Sequence, residues 1–292
     1  MTSIPAEFYA LINAFLFAVH NIFTKKALRY SNPATGVISS LIINIVFLWT
    51  MSCLFVPMAN VTLASLLIFV GVGLFQPGLT RLLTYKGIHT LGVAITDPIR
   101  ASTPLFSAAM AIIFLGEEIT LPIIIATFMI IAGITLLSWR HGAMKLSGSA
   151  VFLWYPIAAS ALAGASQVVR KFGMAAVPHP FLAAAVTASS SLLVSILVMW
   201  YVERTEETWK MNRQCFWWFL AAGITVSFGM TSIYHALDLG KVSVVIPLSS
   251  TGPLFSLILT GLFLRDVERV TLRIIISACM IVSGVVLISW WK

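Results

Sequence analysis

A chain of 292 residues in which 59% are hydrophobic and only 10% charged lies far from the roughly 25% charged content of soluble globular domains. That balance excludes an ordinary soluble enzyme. It also excludes disorder, which requires a polar, charge-rich chain. The formal net charge of +8 does not point to nucleic acid. The basic residues stand at the ends of apolar runs, where the positive-inside rule accounts for them, and not on one wetted face. Cys53, Cys215 and Cys279 lie in or beside apolar runs and read as small buried hydrophobes; neither a disulfide framework nor a metal cluster is expected.

The N-terminal stretch has Glu7 and no basic residue before the first apolar run, so no cleavable leader is expected beyond the first span itself. No charged residue occurs from Tyr30 to Thr80. That is about twice the ~20 residues that cross a bilayer, and the break at Pro57–Asn60 divides it in two. The same length criterion predicts ten transmembrane helices, at 6–24, 34–56, 62–83, 91–114, 119–138, 150–169, 180–202, 214–234, 242–263 and 271–290. The fold class is an all-α polytopic membrane protein. Glu203–Arg213 is the longest polar stretch and reads as a linker or interfacial turn.

The chain repeats itself. PLFS occurs at Pro104–Ser107 and again at Pro253–Ser256, 149 residues later, and the same offset relates Tyr85 to Tyr234, Pro98 to Pro247 and Glu117 to Asp266. Two residues further out of step, Gly133 meets Gly284; upstream, Lys25-Lys26 matches Arg170-Lys171 and Asn32-Pro33 matches His179-Pro180. Residues 1–140 and 150–292 are therefore read as two repeats joined by a linker at 141–149. Each holds five spans. Because five is odd, the second copy must enter the bilayer inverted, a plan common among secondary transporters. The face reached after span one, side B, carries thirteen Lys/Arg in its connections and flanks, against Arg170, Lys171, Lys241 and Lys292 on side A. The positive-inside rule then makes side B cytoplasmic and places both termini outside.

Two five-span halves, each with a proline and a PLF segment in its fourth span, and a fifth span ending in LLSW or LISW, resemble the EamA family of the drug/metabolite transporter superfamily. FLGEEIT at Phe114–Thr120 matches the family's GE signature, while FLRDVER at Phe263–Arg269 carries Asp266 in place of the glutamate. In AFLFAVHNIFTKKAL, His20, Asn21 and Lys25 fill the places of a polar residue followed by a lysine in the family's opening span. The resemblance covers essentially the whole chain. It implies a carrier or exporter of a small metabolite, with a cavity between the halves. The family is usually drawn with cytoplasmic termini, opposite to the charge count above.

Polar residues inside the spans are the candidate substrate-binding or coupling groups. Asp97 and Arg100, three apart in AITDPIRASTP, fall on one helix face. They are expected to form an ion pair facing the protein interior, either as a lock between helices or as a cavity wall that touches substrate or titrates. Asn21 and Gln167 read as substrate hydrogen-bonding groups or as interhelical glue. His20 reads as a proton relay or as a histidine satisfied by a neighbouring helix. Gln76, beside Pro77, and the repeat-related Tyr85 and Tyr234 are cavity candidates, with lipid-interface anchoring the alternative for both tyrosines. The hydroxyl of Ser250 would bind substrate or rebond carbonyls freed by Pro247 and Pro253. Lys25 and Arg170 lie near span ends, where snorkelling to headgroups is the default.

No Walker A, HExxH or GxSxG sequence occurs, so an enzyme is not expected and no cofactor is called for. The leading reading is a secondary active transporter, exporting a small polar or amphiphilic metabolite by alternating access. The alternatives are a multidrug exporter or lipid-linked substrate flippase, and a non-transport membrane assembly protein. Expected partners are the small-molecule substrate, the lipid bilayer, and a proton or counter-substrate, but no nucleic acid. The chain is expected to be a monomer or homodimer in a bacterial inner membrane.

Overall fold

The computed structural model describes residues 4–57, 62–138, 150–198, 210–263 and 272–291. Their secondary structure is helical: α1 (Ala6–Ala27), α2 (Pro33–Phe55), α3 (Leu63–Gly73), α4 (Thr80–Leu91), α5 (Val93–Arg100), α6 (Thr103–Leu115), α7 (Leu121–Ser138), α8 (Trp154–Ala176), α9 (Pro180–Val198), α10 (Arg213–Leu239), α11 (Val242–Ser249), α12 (Gly252–Phe263) and α13 (Leu272–Trp290). Nine of the helical stretches among the described residues are long and apolar enough to cross a membrane, and the apolar helix Leu121–Leu137 makes a shorter tenth. The outer surface carries large apolar side chains such as Leu54, Phe55, Ile113, Phe128, Leu193 and Val286. In water such a coat would be a liability; in a bilayer it is the required exterior. This is an integral, multi-pass membrane protein.

Local chemistry sets the helix ends. Asn32 caps α2 by accepting from the Thr35 amide at 2.9 Å, with Pro33 in the first turn. Asn212 does the same for α10 through the Cys215 amide at 2.8 Å, and the Cys215 thiol answers the Asn212 amide at 3.1 Å. Three spans are broken near their middles. Span three passes from α3 through a π-turn at Leu74–Leu79 into α4, and Gln76 there has non-helical angles (φ −137°, ψ 119°). Spans four and nine divide into α5/α6 and α11/α12 at residues 101–102 and 250–251.

Several of the helix contacts recur under exchange of the repeat-related elements. Helix α1 packs on α10, α11 and α12, and its equivalent α8 packs on α3, α4, α5 and α6. Helix α2 meets α9 and α10, while α9 meets α2 and α3. The closest expression of this relation is the α7–α13 crossing. A Cβ on Gly133 would stand 2.7 Å from Ile281 Cγ1 and 2.9 Å from the Ser277 carbonyl, and one on Gly284 would stand 2.7 Å from Ile130 Cγ1 and 2.9 Å from the Ala126 carbonyl. Small residues let two backbones approach in this way.

Two sequence expectations are corrected. Span six does not end at residue 169, nor span eight at 234; α8 runs to Ala176, enclosing Arg170 among other helices, and α10 to Leu239. Cys215 is buried, but Cys53 and Cys279 are exposed. An apolar position on a membrane helix can face lipid as readily as protein. Residue 60, residue 145, most of 203–213 and Asp266 lie outside the described residues.

The glycine crossing is directly testable. Gly133→Ala and Gly284→Ala are each expected to lower unfolding stability by about 1–3 kcal/mol through overpacking. Gly71→Ala, with nothing within 4 Å of its added Cβ, should not. Thermal unfolding in nanodiscs measures all three.

Candidate functional site

The break at Gln76 sits against the middle of α8. Gln167 on that helix donates from Nε2 to Gln76 Oε1 at 3.0 Å, and its own Oε1 accepts from Arg170 Nη1 at 3.3 Å. The Arg170 guanidinium carbon lies 5.4 Å from the centroid of the Tyr234 ring, in cation–π range. The Tyr234 hydroxyl is 2.6 Å from Thr187 Oγ1, and its ring meets Phe69 edge-on at 5.8 Å. One continuous polar chain therefore runs from the kink of span three through α8 to α10 and α9. Arg170 is only 8% exposed and Tyr234 fully buried.

Three of the residues singled out from sequence (Gln76, Gln167 and Tyr234) meet here, together with two that were not. Arg170 does not snorkel. It lies six residues inside the end of α8, about 9 Å along the axis, and is enclosed by the helices around it. Thr187 carried no sequence signal beyond being one hydroxyl in a Ser/Thr-rich helix. The full burial of Tyr234 removes lipid-interface anchoring as its role.

The other candidates stand apart. Arg100 Nη1 donates to Thr84 Oγ1 at 2.5 Å, joining α5 to α4. Asp97 is exposed, and no direct ion pair joins it to Arg100 among the described residues. The expected salt bridge is thus replaced: residues three apart share a face, but the long arginine gives its Nη1 to Thr84 on the neighbouring helix, leaving the short aspartate exposed. His20 is satisfied by α10, its Nδ1 lying 3.0 Å from the Ala222 carbonyl. Asn21 is exposed. The Ser250 hydroxyl returns to the Ile246 carbonyl at 2.9 Å, rebonding its own helix end. The side chain of Tyr85 lies outside the described residues.

Above the polar chain, at the side-A end, the halves are pinned together. Gly116 in the left-handed region (φ 64°) ends α6, and the Glu117 amide turns back to the Ala111 carbonyl. This turn delivers the Glu117 carboxylate to the start of α11. There it accepts from the Val242 amide at 2.7 Å, the Ser243 amide at 3.0 Å and the Ser243 hydroxyl at 2.6 Å. An anion at a helix N-terminus satisfies free amides and complements the helix dipole. Beside it, Lys171 Nζ donates to the Leu237 and Gly240 carbonyls at 2.5 and 2.9 Å, closing the C-terminus of α10. Helix α11 also packs on α6. At the side-B end the repeat-related pair, α5 and α12, shows no comparable packing among the described residues.

A family model described as the EamA-like transporter family matches residues 4–139 and 150–290. A stretch of 70 residues, 24% of this chain, is 39% identical to an uncharacterized protein of Methanocaldococcus jannaschii, and this chain spans half of that relative's length. One solved crystal structure of a protein superposes over 98% of this chain and 95% of its own, with a TM-score of 0.76 at 15% identity. That likeness is one of fold.

Glu117→Gln removes the charge and one acceptor from three hydrogen bonds and is expected to cost about 1–3 kcal/mol. Glu118→Gln, at an exposed neighbour, is expected to cost little. Thermal unfolding of the two variants in nanodiscs separates capping from general loss of charge.

Proposed function

The chain belongs to the EamA-like transporter family, and on that premise we propose that it is a secondary carrier moving a small polar or amphiphilic metabolite outward by alternating exposure of a central site. Membership makes it a transporter of the drug/metabolite superfamily and not a catalytic domain. In the reading proposed here the halves, 1–140 and 150–292, stand inverted in a bacterial inner membrane. Side B faces the cytoplasm.

One observation carries the reading. Among the described residues, α6 packs on α11 at side A, where the Glu117 carboxylate takes the α11 N-terminus, whereas the exchange-related pair α5 and α12 shows no comparable packing. An inverted pair of halves that passes a substrate needs two forms related by that exchange, and a single form must then break the symmetry at its gates. The Glu117–Ser243 contact is the closed gate of the side-B-open form. The kinks at Gln76, 101–102 and 250–251 are the points about which the half-helices turn.

The test is a lock. In a background lacking Cys53, Cys215 and Cys279, Glu117→Cys with Ser243→Cys would be joined by a bifunctional thiol reagent in proteoliposomes. Turnover of whichever metabolite the parent protein exchanges should stop on cross-linking and persist in Glu117→Cys alone. Unchanged turnover in the cross-linked protein would sink alternating closure. Orientation is read separately: single cysteines at positions 60 and 145 should label from outside intact cells at 60 and not at 145.

A further inference from the structure

Arg170 presents an imbalance that the fold does not explain. It is an arginine within a membrane-spanning helix, 8% exposed, whose Nε is buried and has no hydrogen-bond partner. Its neighbours are neutral: the Gln167 amide at 3.3 Å and the Tyr234 ring at 5.4 Å. No carboxylate contacts it among the described residues. Glu117, at the same end of the bundle as Lys171, is committed to the α11 N-terminus by three hydrogen bonds. A buried charge is expected to be paired, since an unpaired one costs several kcal/mol. Lys171, next in sequence, follows that logic by closing the carbonyls of α10; Arg170 does not.

We propose that Arg170, held by Gln167 and Tyr234 beneath the kink at Gln76, binds a carboxylate or phosphate group of a soluble transported molecule. This rests on the reading of the chain as a carrier. The planar guanidinium suits such a group, because two parallel N–H donors match two oxygens and a charge-assisted bond is roughly twice as strong as a neutral one. The neutral acceptor now on Nη1, Gln167 Oε1, is the group the anion displaces, and the unpartnered Nε supplies the second donor. Gln76 is half-buried and stands at the non-helical turn of span three, which gives the anion its way in. When the anion leaves, Gln167 returns to Arg170, so the empty site keeps a partial partner for the return step of the cycle.

Two measurements on the full-length protein test this. In the first, phosphatidylcholine liposomes containing the protein are loaded with matched pairs (leucine and leucinamide, malate and malamide, glycerol 3-phosphate and glycerol) together with putrescine, and efflux is followed by mass spectrometry. The species released should be acids or phosphates. Arg170→Gln should reduce their efflux about tenfold or more, with partial retention in Arg170→Lys. An amide, glycerol or putrescine leaving as fast as its anionic counterpart overturns the proposal. In the second, thermal unfolding in nanodiscs is compared in millimolar phosphate, acetate and chloride at equal ionic strength. Phosphate or acetate should raise the midpoint of the parent and not of Arg170→Gln. Gln167→Glu, which installs a carboxylate, should raise it without added anion, and that gain should vanish when Arg170→Gln is added. If neither the anions nor Gln167→Glu acts through Arg170, the site is refuted whatever the liposomes release. An anion shift without efflux of any species refutes the carrier reading and leaves the site standing. A shift produced by phosphatidylglycerol in the nanodisc, and by no soluble anion, assigns the group to a lipid headgroup and overturns the assignment to a soluble molecule.

Discussion

A helix interrupted inside or at the edge of a bilayer frees amides and carbonyls that hydrocarbon cannot satisfy, and this constraint organises the molecule. The Glu117 carboxylate is the clearest response. It comes from the turn after α6 in one half and takes the first amides of α11 in the other. For that reach the chain must reverse tightly after Leu115, which Gly116 permits by entering the left-handed region. The glycine-glutamate pair is therefore one device: the first residue turns the chain and the second caps a helix belonging to the other half. Lys171 applies the same rule with opposite sign at the carbonyl end of α10. Ser160 supplies a smaller instance, its hydroxyl donating to the Ile99 carbonyl at 3.1 Å where α5 ends.

The fold was largely legible in the sequence because membranes impose length and composition so strictly. Apolar runs mark the spans, and PLFS, Gly133/Gly284 and Tyr85/Tyr234 mark the duplication. The site was legible only in parts. Gln76, Gln167 and Tyr234 each stood out as polar groups within apolar runs, yet nothing in their spacing says that they touch; the contacts run across 91 residues from Gln76 to Gln167 and 47 from Thr187 to Tyr234. Arg170 escapes a sequence reading for a different reason. A charge near the end of a hydropathy window looks like a boundary, and only tertiary enclosure distinguishes a buried arginine from one that reaches the headgroups. The Asp97–Arg100 pair shows the limit of helical spacing. Three residues along α5 bring the two to one side, but Thr84 on α4 lies within the arginine's reach and takes its Nη1.

Shared architecture and unshared chemistry separate cleanly between the two halves. The packing partners of α1 (α10, α11 and α12) are the repeat equivalents of α3, α4, α5 and α6 around α8, so this part of the scaffold is duplicated. The polar chain is not. Lys25, the counterpart of Arg170, is exposed at the end of α1. Ser40, the counterpart of Thr187 by the register of Asn32-Pro33 on His179-Pro180, spends its hydroxyl on the Val37 carbonyl of its own helix at 3.1 Å. An exchange-symmetric pair of halves would offer a substrate two equivalent surfaces. Among the described residues, the buried cation and its amide partner thus stand on α8 of the second half, with no buried cation at the equivalent place on α1. The Glu117 contact with the start of α11 lies at the same end of the bundle as Lys171. Arg170 and Lys171 are consecutive on α8, so the residue that faces the polar chain and the residue that closes α10 move together. Any rearrangement of α8 that changes what Arg170 meets must also disturb the carbonyls that Lys171 holds, which couples the polar chain to the end of α10 through a single turn of helix.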